Sequence, residues 1–254
     1  MFGFSSPNLP ISIEQKQWAD ESFLRLASLL GAERMLSAIV ILPNEQHFPD
    51  RYDQSEASLF ALFGRVASAM QVDPTEVDLT LFTSEDELTR HLVPFSSGTN
   101  SGAGGLYFHD PDARPRISVH EKKLRDPTAL VAVLAHEIGH IILLRPGLVA
   151  RDELDMEPLN DLLTVFLGLG VFTANSAFQF KQFTGNRTQG WSTQRLGYLS
   201  EEMFAYALAR FAYERQELKP AWEKFLVTNI RAYFKMSMKW LQHQSAPRLF
   251  PVQS

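Results

Sequence analysis

The first half of the chain alternates between helical and strand periodicity. Ile13 to Gly31 and Ser55 to Met70 repeat apolar residues three and four apart, which predicts two amphipathic helices. Leu36 to Leu42 is short, apolar and rich in β-branched residues, and we predict a buried strand there. Val77 to Phe82 alternates as a strand does. This α-β-α-β order favours a lobe built on a small sheet.

A hairpin is predicted next, from Leu106 to His109 and from Arg116 to His120. The Gly/Ser stretch Ser96 to Gly105 precedes it and lacks the lysine of a phosphate-binding loop, so we interpret it as a turn or flap. Beyond these strands every periodic segment is helical.

Local signals mark the ends of the later helices. Ser200 is a good N-cap for a helix to about Gln216, and Pro220 is predicted to start a last long helix to about Gln244. The tail, Ser245 to Ser254, contains two prolines and is predicted to be loose.

These elements predict one α+β domain over residues 1–254, without internal repeats or a long linker. We expect a small N-terminal α/β lobe with a mixed sheet at 1–145. A mainly helical lobe follows at 146–254, with the two lobes sharing a cleft.

The strongest chemical signal lies in the apolar stretch Leu130 to Leu144, which contains the array H-E-x-x-H. Asp126 and Pro127 predict a helix start before it, and on a helix His136 and His140 share one face. Two imidazoles so placed can bind one metal ion, and Glu137 beside them can take a proton from a metal-bound water. The alternative is an accidental match with two core histidines.

A catalytic zinc ion needs a third protein ligand. Asp155 and Pro158 predict the start of a second helix, and Glu157 and Asp161 are four apart on its first turns. Glu157 is therefore a candidate ligand, and Asp161 a candidate acceptor for the other ring N–H of a ligating histidine. The alternative is a solvated first turn favoured by the helix dipole.

This pattern resembles the gluzincin class of zinc metallopeptidases, over roughly Leu130 to Leu167. The run EPLNDLLTVFLGLGVFTANSAF also looks like bacterial metallopeptidase-like proteins that are uncharacterised. The resemblance implies a zincin-like fold with the metal site on a central helix between the lobes. It also implies one Zn²⁺ per chain and a peptide or protein substrate. The histidines and Glu157 would be ligands, Glu137 the general base and Asp161 the supporting partner of a ligand. The sixteen residues between His140 and Glu157 are fewer than in the best-known members.

Several assignments stay open at this point. Competing third ligands are Glu201 and Glu202, which open a later helix, and less so three acidic residues of the intervening loop, Asp152, Glu153 and Asp155. An oxyanion-stabilising side chain is expected among three residues after the metal site, Tyr198, Tyr206 and Arg210, and Tyr206 is our choice. A non-catalytic regulatory protein that retains the zincin scaffold is the alternative to a peptidase.

Composition limits the classes of site, binding partner and cellular location that we expect. The chain has no cysteine, which excludes a Cys-based zinc site, and its net charge of −5 gives no sign of nucleic-acid or anionic-membrane binding. The N-terminus has no signal-peptide pattern. Polar residues interrupt Val165 to Phe180, the most membrane-like stretch. We expect a soluble, cytoplasmic bacterial protein, and the sequence leaves its oligomeric state open.

Overall fold

The computed structural model describes residues 7–83, 105–108, 114–183 and 199–250, with the backbone alone at 105–108 and 178–183. The helices are α1 Ile13–Leu30, α2 Ala32–Leu36, α3 Glu56–Ala69, α4 Pro127–Leu144, α5 Met156–Phe166, α6 Gly170–Phe183, α7 Glu201–Glu214 and α8 Thr228–His243. The strands are β1 Asp78–Phe82, β2 Gly105–Phe108 and β3 Arg116–His120. Short 3-10 turns lie at Pro74–Glu76, Glu121–Arg125 and Ala221–Phe225.

The three strands form one mixed sheet in the order β1-β3-β2. β1 runs parallel to β3, with Thr80 opposite Ser118 and their hydroxyl oxygens 2.8 Å apart. β2 runs antiparallel to β3, as predicted for the hairpin, whose connecting residues lie outside the described part of the chain. A small sheet among many helices confirms the broad α+β class. The predicted flap at 96–105 is outside the described residues except for Gly105.

Side-chain caps start the helices where the sequence predicts them. The Ser12 hydroxyl accepts from the Gln15 amide and completes a capping box at α1. Asp126 accepts from the Ala129 amide at 3.0 Å and begins α4. Ser200 caps α7 in the same way through the Met203 amide, at 3.3 Å. These interactions satisfy amide groups that a helix cannot satisfy internally.

Helix α4 forms the centre of the molecule. Every residue from Ala129 to Leu144 is buried, and the helix packs against α3, α5, α6 and β2. Among the described residues it is also the one helix that is long and apolar enough to cross a membrane. However, 89% of this helix is buried inside the protein. The polar residues that α4 carries are therefore surrounded by apolar side chains that exclude water.

One hydrophobic cluster joins residues from both predicted lobes. Helix α1, from the N-terminal part, packs against α5 and α7 of the C-terminal part. The Phe23 ring of α1 stacks on Phe166 of α5, with centroids 6.4 Å apart. The division at residue 145 stays a prediction.

The predicted strand at Leu36 to Leu42 is wrong. Helix α2 continues through Leu36, the residues after it join no strand, and Ile39 is 71% exposed. The segment is held instead by the loop before α6, where the Ile41 amide donates to the Gly168 carbonyl at 2.9 Å. Gly168 has φ +87°, and a Cβ there would lie 2.3 Å from the Ile39 oxygen. The apolar run therefore packs as an irregular segment against a glycine turn.

Two predictions about the C-terminal region are also wrong. The last helix begins at Thr228, because Pro220 is followed by the 3-10 turn Ala221–Phe225 rather than by a continuous helix. The tail is packed as far as Phe250, which is 9% exposed. Its backbone amides at Leu249 and Phe250 donate to the buried Glu214 carboxylate at 3.0 and 3.2 Å. Residues 251–254 lie outside the described residues.

Candidate metal centre

The two histidines of the H-E-x-x-H array occupy consecutive turns of α4 and face the same side. Their ring centroids are 4.8 Å apart and the rings are nearly perpendicular, at 87°. His136 is 1% exposed and His140 is completely buried. Glu137, carried on the same turn, is 1% exposed. Burying a polar side chain costs free energy unless it is hydrogen-bonded, paired with a charge or bound to a metal. These three side chains in an otherwise apolar helix therefore need such partners.

Glu157 completes a three-residue cluster with the histidines. Its Oε2 atom lies 3.1 Å from His136 Nε2 and 3.6 Å from His140 Nε2. One ligand atom from each of the three residues lies within 4.8 Å of the others. Two imidazole nitrogens and a carboxylate oxygen are a donor set that zinc binds in catalytic sites. The donors fit a small divalent cation by type, number and proximity.

Asp161, one turn further along α5, contacts the opposite side of the first histidine. Its Oδ1 lies 3.0 Å from His136 Nδ1, and its Oδ2 accepts from the Leu199 amide at 2.9 Å. A carboxylate at Nδ1 holds the proton there and leaves Nε2 for a metal. Glu157 and Asp161 thus contact the two nitrogens of one ring, and their four-residue spacing places them on the same face of α5, as predicted.

The charges in this cluster depend on one another. Burial opposes a charged His136, but hydrogen bonds to Asp161 and Glu157 outweigh it and raise the pKa of this imidazole well above its usual value. Burial and the neighbouring positive ring lower the pKa of His140 to about 3. Burial raises the pKa of the Asp161 carboxyl. For Glu157 burial acts in the same direction, but the histidines overcome it and lower the pKa to about 2. Thus Glu157 carries its negative charge and His140 is neutral, as a metal ligand must be, whereas His136 would have to release a proton on binding a metal.

Asn160 is a site residue that the sequence analysis missed. It is completely buried on α5, and its Nδ2 donates to the His136 carbonyl at 2.9 Å. Its Oδ1 lies against Gly139, where an added Cβ would be 2.1 Å away. The residue that faces Asn160 on α4 therefore has to be glycine, and this contact fixes the register of the two helices that bear the ligands. The signal in the sequence was a glycine inside the most apolar helix, which usually marks a close approach.

Three of the competing third ligands, Glu202, Glu153 and Asp155, have other partners. Glu202 accepts a hydrogen bond from Tyr233, and neither it nor Glu201 belongs to the histidine cluster. In the loop before α5, Glu153 forms a bidentate pair with Arg25, whose second contact is 2.9 Å. Asp155 accepts from Trp18 Nε1 at 3.0 Å. Geometry therefore favours Glu157 among the candidates.

Tyr206, the predicted oxyanion-stabilising residue, is completely buried in α7. Its hydroxyl donates to Asp20 of α1 at 2.8 Å, and burial raises its pKa. Arg210, on the same helix, pairs with Asp20 and Glu214 and donates to the Pro247 carbonyl. Both side chains belong to a network that joins α1, α7 and the tail, which does not favour the predicted catalytic role. Tyr198 lies outside the described residues.

Comparisons of the chain with protein-family models, curated proteins and solved structures gave no match. The function is therefore inferred from the residues of the site.

Proposed function

We propose that the protein is a zinc-dependent hydrolase, and most specifically a metallopeptidase. The observation that carries this proposal is the convergence of His136, His140 and Glu157, with Asp161 on the far nitrogen of His136. A helix N-terminal carboxylate does not need two buried imidazoles beside it. A ligand set with a supporting carboxylate needs all four residues.

Each residue of the site has a separate role in the proposed reaction. His136, His140 and Glu157 would hold the ion, which when bound lowers the pKa of a water molecule and polarises a carbonyl group. Asp161 fixes the tautomer and the orientation of His136. Glu137 accepts a proton from the attacking water and returns it to the leaving nitrogen. A peptide bond is the substrate that this arrangement most commonly hydrolyses, and the gluzincin resemblance supports the same choice.

Metal content tests the site directly. We would measure zinc by mass spectrometry on wild type, Glu157→Ala and Glu201→Ala, each purified without chelator or affinity metal. About one zinc per wild-type chain is expected, lost in Glu157→Ala and kept in Glu201→Ala. Zinc kept by Glu157→Ala but lost in Glu201→Ala would move the third ligand to α7. Wild type without metal would refute the enzymatic proposal.

Glu137→Gln tests catalysis separately from binding. The variant should retain zinc, because Glu137 is not a ligand, and should lose peptide hydrolysis by about 10²–10⁴-fold. The matched control is Glu201→Gln, which changes the same functional group outside the histidine cluster. A zinc-loaded protein whose hydrolysis is unaffected by Glu137→Gln would contradict the mechanism. Bound zinc with no hydrolysis of a peptide library would support the regulatory scaffold instead.

A further inference from the structure

A second feature, separate from the histidine cluster, lies at the C-terminal end of the fold. A groove of about 510 Å³ runs between the segment 218–224 and helix α8. Lys219, Lys224, Lys235 and Lys239 all line it, and these are four of the eight lysines in the whole chain. We refer to it as the lysine groove.

The positive charge of this groove is only partly neutralised. Glu223 is the one acidic residue in its lining, and it pairs with Lys235 at 3.3 Å. Among the described residues, none of the other three lysines forms an ion pair with a carboxylate. The groove thus carries three net positive charges in a chain whose net charge is −5. The electrostatic potential at the groove is positive although the net charge of the chain is negative, so the groove attracts a negatively charged partner.

The accessible apolar surface of the groove lies at its edge. Leu218 there is 46% exposed, whereas Phe234 and Met238 of α8, beneath the lysines, are 1% and 5% exposed. Lysine stems can cover such apolar side chains while their ammonium groups remain in water. A volume of about 510 Å³ is sufficient for apolar side chains and is too large for a simple ion to fill.

We propose that the lysine groove binds an acidic peptide segment that carries a large apolar side chain. The carboxylates would pair with Lys219, Lys224 and Lys239. The apolar side chain would lie against Leu218 at the edge of the groove. A concave groove suits an inserted segment better than a flat bilayer. Its lining contains no arginine, the residue that most often recognises nucleic-acid phosphates. This proposal does not depend on the proposed hydrolase activity.

The test uses the full chain and fluorescence anisotropy of a labelled short peptide of glutamates with central leucine and tryptophan. Lys219→Glu combined with Lys239→Glu should weaken binding at least about tenfold, because two attractive charges become repulsive. The matched control is Lys122→Glu with Arg125→Glu, two exposed cations outside the groove, which should leave binding within about twofold. Rising salt should weaken wild-type binding.

Two comparison peptides separate the parts of the proposal. A peptide with lysine in place of glutamate should not bind, and one with serine in place of leucine and tryptophan should bind at least about tenfold more weakly. Absence of binding by the glutamate peptide, or equal loss in the groove and control variants, would overturn the proposal. Stronger binding to anionic phospholipid vesicles or single-stranded RNA, removed by the same groove substitutions, would overturn it in favour of that partner. Thermal melting of each variant verifies folding.

Discussion

Gly139→Ala is the most direct perturbation of the helix contact beneath the candidate metal centre. The added Cβ would lie 2.1 Å from Asn160 Oδ1 and 3.1 Å from its Cγ, so the completely buried amide has to move. Moving it breaks the 2.9 Å hydrogen bond from Asn160 to the His136 carbonyl. The substitution therefore acts on packing and on the orientation of the ligand helix together.

The magnitude follows from three effects. Overpacking a close-packed interior costs about 1–3 kcal/mol. Losing a buried hydrogen bond costs about 1–3 kcal/mol more. Alanine recovers about 1 kcal/mol through its better helix propensity. We expect the free energy of unfolding to fall by about 3 kcal/mol, which lowers the Tm by roughly 6–12 °C in a chain of this size.

The assay is denaturant unfolding of the purified chain, with zinc content measured on the same samples. Gly64→Ala is the matched control, because Gly64 lies inside α3 with nothing within 4 Å of an added Cβ. It should stabilise the protein by about 0.5–1 kcal/mol. If Gly139→Ala were as stable as Gly64→Ala, the close approach of Asn160 to α4 would be refuted.

A double-mutant cycle with Asn160→Ala completes this test. Removing the amide also removes the obstacle, so Asn160→Ala should cost less in the Gly139→Ala background than in wild type. Additive costs would show that the two residues do not contact each other.

Three further predictions concern other parts of the molecule. Asp161→Asn should weaken zinc affinity about 10–100-fold in competition with a chelator dye, because it alters the partner of His136; unchanged affinity would contradict that role. Glu214→Ala should lower the free energy of unfolding by about 3–5 kcal/mol, because it removes one of the two carboxylates that pair with the buried Arg210 and leaves two tail amides without their acceptor. The control Glu76→Ala, at an exposed ion pair, should cost less than about 1 kcal/mol, and equal effects would refute the tail contact. Gly168→Ala should cost about 1–3 kcal/mol in the same assay, since its φ is +87° and a Cβ meets the Ile39 oxygen; a neutral result would exclude that docking.

Local chemistry in the sequence predicted most helix starts and the histidine cluster. A cap such as Ser200 needs only a neighbouring amide, and His136 and His140 need only the helical period to share a face. Glu157 and Asp161 followed from the same period on the next helix. Their contacts with His136 also require α4 and α5 to pack in one register. The motif implies that register, but the contact between Gly139 and Asn160 that fixes it was not recognised in the sequence.

The failures concern contacts between distant segments. Leu36 to Leu42 has strand composition, but a short apolar run cannot show whether a strand or a glycine turn lies beside it. The tail was predicted to be loose from its two prolines. That prediction failed because the Glu214 carboxylate that binds the tail lies on another element. In both cases tertiary packing overrode the local pattern. Tyr206 was chosen by its position after the site; its hydroxyl contact with α1 does not favour that role, which stays a prediction.

The three candidate ligands differ in their access to solvent. The side chains of His136 and His140 are 1% and 0% exposed, whereas that of Glu157 is 29% exposed. An ion taken up by the proposed site would therefore meet the carboxylate first and the imidazoles afterwards. It would leave in the reverse order, so a chelator would act only after the Glu157 side chain had rotated away. Uptake and loss of the proposed metal would then depend on the rotation of one side chain, and exchange would be slow even without high affinity.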